Sequence, residues 1–292
     1  MLNGGLTPFP DFNFPERGAV LVAVSGGSDS MALLHLHHSQ CVAHALPLRL
    51  VAATVDHGLR PESAREAADV AEMCRGLGIE HFTLCWEGEK PAAGLQAAAR
   101  MARHKLLADL AEREACAAVL VGHTQDDQIE TLLMRAARGE GDGLAGIAPA
   151  TLFDKRVWFM RPLLNETRAD LRAWLRSRDI GWHDDPSNSD QRFERVRMRQ
   201  RASELTEKAR DALLDRANAA ALARVRLSYA SAQLIRDHVC APLPGLIYIR
   251  PDILAVDRAA LVHTLRILLA DRKSGSAGMP RPTRKSRMPS SA

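Results

Sequence analysis

Apolar residues in the first half of the chain gather in short runs, and longer stretches of mixed polarity separate them. Ala19–Val24, Leu48–Val55, Ile79–Trp86 and Ala117–Val121 are four such runs, each strand-sized and β-prone. Continuous rather than alternating apolarity is what a strand covered on both faces requires. Between the runs the spacing turns helical. Ser30–His38 carries Met31, Leu34 and His38 along one side. Pro61–Arg75 opens on proline and acids and stops before Gly76 and Gly78. Leu95–Glu114 is long and alanine-rich, and Asp126–Arg138 follows the fourth run. Strands alternating with helices predict βαβ units: an α/β fold with an open parallel sheet and helices on both faces.

After Ala145 the texture changes. Two β-like runs surround a polar turn between Ile147 and Leu164. Thr167 and Asp170 then form a cap signal for a helix over Arg168–Arg178, with Gly181 beyond it. His183–Asp190 is loop by composition, and Arg195 to about Tyr229 reads as one long arginine- and alanine-rich helix. The expected organisation is an N-terminal extension (1–18), a catalytic domain (19–195), a smaller, mostly helical domain (196–270) and a basic tail (271–292). That tail holds six Lys+Arg and one acid among Ser, Pro and Gly, which predicts disorder.

Composition narrows the class. The 292 residues are 46% hydrophobic and 25% charged, which suffices for a sizeable core. The five cysteines (41, 74, 85, 116 and 240) form no Cys-x-x-Cys pair. Their spacing and odd number argue against a zinc ribbon, a redox pair and a secreted disulfide framework. The first 18 residues lack a signal-peptide pattern, and no apolar run approaches the ~20 residues that span a bilayer. A cytoplasmic protein with no membrane partner is expected. Charge is uneven: residues 1–140 carry 12 Lys+Arg against 18 Asp+Glu, and residues 141–292 carry 27 against 17. A basic second half suits a polyanion, and equally a solvated basic surface.

The most informative stretch is Ser25-Gly-Gly-Ser-Asp-Ser30, between the first strand and its helix. In a parallel sheet, ligands bind outside the carboxyl ends of the strands. Gly26 and Gly27 let backbone approach a ligand, the following N–H groups open a helix that favours anions, and Ser25, Ser28 and Ser30 add hydroxyls. The stretch is built to hold phosphate, although a tight turn capped by Ser or Asp has the same composition. It lacks the lysine of the Gly-x-x-x-x-Gly-Lys-Ser/Thr loop. Asp29 beside phosphates calls for an intervening cation, which implies Mg²⁺. Gly141-Asp-Gly-Leu-Ala-Gly146 also matches Gly-x-Gly-x-x-Gly, but it follows a helix rather than a strand and fails its context.

Gly122–Glu130 supplies a second cluster. On a helix from about Thr124, Asp127 and Glu130 share one face, with His123 just before it. Two carboxylates there suit a cation, and equally an acidic first turn favoured by the helix dipole.

"SGGSDS" after an apolar strand resembles the loop of the PP-loop ATP pyrophosphatases, which release AMP and diphosphate. Together with "VDHGLRPES" (55–63), "GHTQDDQIETLLMRAARGEG" (122–141), "RPLL" (161–164) and "DDPSNSDQRFERVRMR" (184–199), it resembles the tRNA(Ile)-lysidine synthase family over about residues 19–200. That resemblance implies an ATP-dependent ligase joining free L-lysine to C2 of the wobble cytidine of a tRNA(Ile) with an unmodified CAU anticodon. It implies ATP as co-substrate with Mg²⁺ at Asp29. Ser25, Gly26, Gly27, Ser28, Asp29, Ser30, Asp56 and His57 would bind ATP, and Asp127, Glu130 and His123 would hold lysine. Asp29, Asp127, Glu130 and Arg103 would be the catalytic set. Arg60 is placed to reach phosphate. Arg100, Arg161, Arg195, Arg197 and Arg199 are the candidate tRNA contacts, as positioning rather than specifying charges.

Three departures from the family pattern occur: Gln96 for glutamate, His104 for tyrosine and Val196 for asparagine. Rival readings are a PP-loop tRNA thiolase, a non-catalytic nucleotide-binding protein and an amide-forming small-molecule synthetase. The first is disfavoured by the missing cysteine motifs. The second is disfavoured by the presence of Asp29, Asp127 and Glu130, and the third by the basic second half. A homodimer is open to the chain, and the sequence does not fix it. The lysidine reading requires the amides near Gly27 and the Asp127–Glu130 pair to open into one crevice.

Overall fold

The computed structural model describes residues 18–58, 62–88, 90–91, 93–139, 142–184, 194–243 and 246–275. The N-terminal extension up to residue 17, Arg60, Gly141, most of the 183–190 loop, Arg192 and tail residues 276–292 lie outside the described residues.

The chain divides into two compact units, Met1–Ala217 and Asn218–Ala292. The first contains β1 (Gly18–Ala23), α1 (Ser28–Ala43), β2 (Leu48–Asp56), α2 (Ser63–Gly76), β3 (Glu80–Cys85) and α3 (Leu95–Arg113). It continues through β4 (Cys116–Val121), α4 (Gln125–Ala137), β5 (Ala150–Phe153), β6 (Val157–Met160), α5 (Arg168–Arg176) and α6 (Glu194–Glu204). The start of α7 (Glu207–His238) completes this unit.

The six strands form one sheet in the order β3-β2-β1-β4-β6-β5. All neighbours are parallel except β5, which returns antiparallel on β6 through the polar turn and forms the edge. The unbroken apolarity of β1 serves two cores. Val20, Val22 and Val24 point to the side covered by Leu33 of α1, Val70 of α2 and Leu171 and Leu175 of α5. Leu21 and Ala23 point the other way, onto Leu107, Ala108 and Ala111 of α3 and onto Phe159. A strand with two buried faces needs apolar residues at both parities, which is why no alternation was visible.

This order has a functional consequence. The connection from β1 leads to β2 on one side, whereas β4 lies on its other side, paired through Ala23 and Val121. The sheet therefore reverses its winding between β1 and β4. A crevice opens at such a switch point, outside the strand ends. The two candidate motifs follow these two strands.

The predicted helix from Arg195 to Tyr229 is two helices. α6 ends at Glu204, and α7 starts anew at Glu207. Thr206 stands at the break, with its hydroxyl accepting from the Ala209 N–H at 3.3 Å. A threonine cap satisfies a first-turn donor and so marks a new helix start.

The second unit holds the rest of α7, a hairpin of β7 (Val239–Leu243) and β8 (Leu246–Ile249), and α8 (Arg258–Gly275). The hairpin was not expected from the helix-rich reading of this region. Pro242 cannot continue α7, and Leu-Ile-Tyr-Ile is β-prone.

Candidate active site

The glycine-rich stretch folds as a turn that runs straight into α1. Gly26 has φ +82°, a left-handed conformation that disfavours any other residue. A Cβ there would also meet the His183 ring at 3.0 Å. Gly27 caps α1, so Ser28, Asp29 and Ser30 are already its first turn, where backbone N–H groups lack intrahelical partners. Ser30 knits the turn: its hydroxyl donates to Gly27 O at 2.9 Å and accepts from Ser25 N at 3.1 Å. The geometry is an anion cradle at a helix N-terminus.

The second loop docks against this cradle. A Cβ on Gly122 would lie 3.0 Å from the carbonyl carbon and oxygen of Asp29 and 3.1 Å from Ser30 N. Glycine here permits the close approach of the β4–α4 loop to the first turn of α1. One crevice of about 740 Å³ results, lined by Ser25, Gly27, Ser28, Asp29 and Ser30 on one side and by His123 and Asp127 on the other. Arg103, Arg168, Arg172, Arg195 and Arg199 supply positive charge along it.

Asp127 and Glu130 share the buried face of α4, 7% and 1% exposed. Thr124 fixes Asp127, donating from its N–H at 2.8 Å and its hydroxyl at 3.1 Å. The Arg195 guanidinium spans both acids: Nη2 reaches Asp127 Oδ1 at 2.6 Å, and Nε reaches Glu130 Oε2 at 2.8 Å. Arg199 Nε donates to Glu130 Oε1 at 2.9 Å. Burial pushes the Asp127 carboxyl up, but Arg195, the Thr124 N–H and Arg168 outweigh it and hold it below the ordinary range. Burial pushes His123 down to about 3, so its ring is neutral.

Arg168 joins the two sides. Its Nε donates to Asp29 Oδ2 at 3.0 Å, Nη2 lies 3.5 Å from Asp127 and Nη1 lies 3.6 Å from Glu130. Burial raises the Asp29 pKa despite Arg168. Arg172, one turn on, donates to Ser28 Oγ at 3.2 Å and to Asp184 at 2.7 Å. The reading from sequence missed Arg168, Arg172, His183 and Asp184. One signal was available: an arginine at the first position of a helix opposes the helix dipole, and such a cost asks for a compensating partner.

Other expected residues fall elsewhere. Asp56 accepts from Gly58 N at 2.8 Å and Ser63 Oγ at 2.6 Å, which ties the end of β2 to the start of α2. His57 packs edge-on against Trp86 with ring centroids 5.9 Å apart. Neither residue lines the crevice described above. Arg161 is 4% exposed and binds Ala148 O, Phe159 O and Thr151 Oγ1 within the β5–β6 hairpin. Its guanidinium serves the fold and is not on a surface that an RNA backbone reaches. Arg100 and Arg197 are exposed, while Arg195 and Arg199 turn their guanidinium groups onto the acid pair.

No group of three or more metal-ligating side chains occurs among the described residues. A lone carboxylate at a phosphate cradle fits Mg²⁺, which takes most of its ligands from water and phosphate. Asp29 fits that role, because it stands in the first turn of α1 and lines the crevice beside the phosphate cradle. No helix among the described residues is long and apolar enough to cross a membrane.

The PP-loop domain family matches residues 9–205. A tRNA(Ile)-lysidine synthase of Mesorhizobium japonicum is 47% identical over 272 residues, covering 90% of this chain and 59% of that protein. One from Rhizobium meliloti is 49% identical over 201 residues, covering 65% of this chain and 44% of that protein. The chain thus spans about half the length of these curated relatives. Among solved structures, a U34-tRNA thiolase from Methanococcus maripaludis is similar with a TM-score of 0.59 at 19% identity, covering 70% of this chain and 71% of that one. The thiolase likeness concerns the fold alone. With its phosphate cradle after β1 and a family match over two thirds of its length, the chain belongs to the PP-loop family.

Proposed function

We propose that this chain is an ATP-dependent ligase that joins L-lysine to C2 of the wobble cytidine of tRNA(Ile) bearing an unmodified CAU anticodon. The single observation that carries the reading is the shared crevice: a phosphate cradle on one wall and a buried acid pair on the other. Curated relatives at 47–49% identity bear the lysidine synthase name, which supports the same assignment.

The chemistry follows from what each group can do. The C2 oxygen of cytidine attacks the α-phosphate of ATP; diphosphate leaves, and the base becomes an adenylate. The lysine ε-amine then attacks C2, AMP departs with the former C2 oxygen, and the amine gives up a proton. The amides and hydroxyls of Ser25–Ser30 hold phosphate, and Arg103 faces the developing charge. Mg²⁺ held at Asp29 would neutralise phosphate charge. Asp127 and Glu130 hold a lysine ammonium, with His123 beside them. Thr124 donates two hydrogen bonds to Asp127 and fixes its carboxylate, which supports an orienting role. Asp56 and His57, at the end of β2, remain candidates for contact with the nucleoside of ATP. Exposed Arg100 and Arg197 suit phosphate-backbone contacts. We assign residues 19–195 to catalysis and 196–270 to tRNA contact, with Arg199 reaching back to Glu130.

The direct test is ATP-dependent transfer of labelled lysine onto tRNA(Ile). Incorporation at the wobble cytidine supports the reading. Transfer of sulfur instead of lysine would favour a thiolase, against which the lack of any Cys-x-x-Cys pair already weighs.

A further inference from the structure

Resting on the lysine assignment above, we infer that Arg195 and Arg199 of α6 seal the amino-acid seat of Asp127 and Glu130 until RNA engages the opposite face of that helix. In this structure a guanidinium already sits where a substrate ammonium would go. Arg195 contacts both carboxylates and Arg199 contacts Glu130, all at 2.9 Å or less. A lysine amine cannot make those contacts while the arginines do.

The exposure of the partners is unequal. Glu130 is 1% exposed and fixed in the body of α4, whereas the side chains of Arg195 and Arg199 are 40% and 38% exposed. The arginines can swing to solvent without disturbing the core, and the carboxylates cannot. A buried carboxylate stripped of its counter-charge is unstable. Exchange is therefore the favoured route: guanidinium out, ammonium in.

The helix also offers the departing charge a destination. Successive residues turn by ~100° on an α-helix, so positions two apart point to nearly opposite sides. Arg195 and Arg199 face the acids, while Arg197 and Arg201 are exposed. Met198 and Ala202, each 6% exposed, anchor the helix. RNA phosphates drawn to α6 by Arg201 and by the swung-out arginines themselves would stabilise the open seat. The function served is order: lysine enters only when the nucleic acid that consumes it is present.

The test is equilibrium binding of L-lysine to the full chain by calorimetry, with and without unmodified tRNA(Ile). For the native chain, RNA should tighten lysine binding ~tenfold or more. Arg195→Met should bind lysine without RNA more tightly than the native chain does, by ~tenfold, because only Arg199 on Glu130 still opposes entry. Arg199→Met should show a smaller gain, because Arg195 still spans the pair. Arg168 keeps a counter-charge beside both acids in either variant. Equal RNA dependence in the native chain and Arg195→Met overturns the seal. So does weaker lysine binding by RNA-free Arg195→Met, which would make Arg195 part of the seat. If no protein binds lysine even with RNA present, the lysine assignment itself fails.

Discussion

Gly122 lies against the backbone of Asp29, so close that a single added methyl would sit 3.0 Å from the Asp29 carbonyl. That contact joins the loop after β4 to the first turn of α1. Gly122→Ala must push the two walls apart, because both neighbours are backbone. It should fold, lose stability by about 1–3 kcal/mol as over-packed sites do, and lose ~tenfold or more in kcat/KM. Thermal unfolding and steady-state kinetics on ATP and lysine check this. Native kinetics in Gly122→Ala would show that the juxtaposition does not matter.

Asp127→Asn and Glu130→Gln remove charge but keep shape. Each should lower lysine transfer by about 100-fold, the scale of losing one preorganised electrostatic contact in a dry site. ATP binding should persist, because the phosphate-facing amides and hydroxyls of Ser25–Ser30 belong to the first turn of α1 and neither substitution removes one of them. Fluorescent-nucleotide titration alongside the transfer assay separates the two effects.

Arg168 touches Asp29, Asp127 and Glu130 with one planar fork. Arg168→Lys retains charge but has a single point donor, which cannot span three acids. It should be nearly as impaired as Arg168→Met. Full rescue by lysine would mean that charge alone, without geometry, is enough.

Acid should destabilise the fold above the range where carboxylates titrate. His37, 2% exposed in α1, has its pKa pushed by burial down to about 4. The unfolded chain therefore binds a proton at this site that the folded chain refuses. Stability from neutral His37 is complete above about pH 6.5 and is lost as pH falls toward 4, amounting to about 3 kcal/mol at most. His123, pushed to about 3, acts in the same sense. His37→Gln should show a smaller drop in Tm between pH 7 and pH 5 than the native chain.

Local chemistry was readable in the sequence where it is carried by adjacent residues. The cradle of Ser25–Ser30 and the shared face of Asp127 and Glu130 each lie within one short segment. So were the βαβ rhythm and the two-run hairpin after Ala145. What could not be read depends on residues far apart. Arg168 meets Asp29 across 139 positions, and Arg195 meets Asp127 across 68. Helical periodicity says which arginines share a face, not whether that face meets RNA or a buried carboxylate. Arg161 illustrates the same ambiguity, since an arginine beside a β-hairpin reads as surface charge until its carbonyl partners are seen. The break at Thr206 failed to register because strong helix formers flank it.

The central claim is that one crevice activates a nucleotide and presents an amine to the same substrate. Diphosphate release from ATP by the purified chain tests it most directly, with lysine and unmodified tRNA(Ile) supplied separately and together. The account predicts sustained release only when both are present, and its loss in Asp127→Asn. Sustained release without lysine, or undiminished lysine-dependent release by Asp127→Asn, would contradict it.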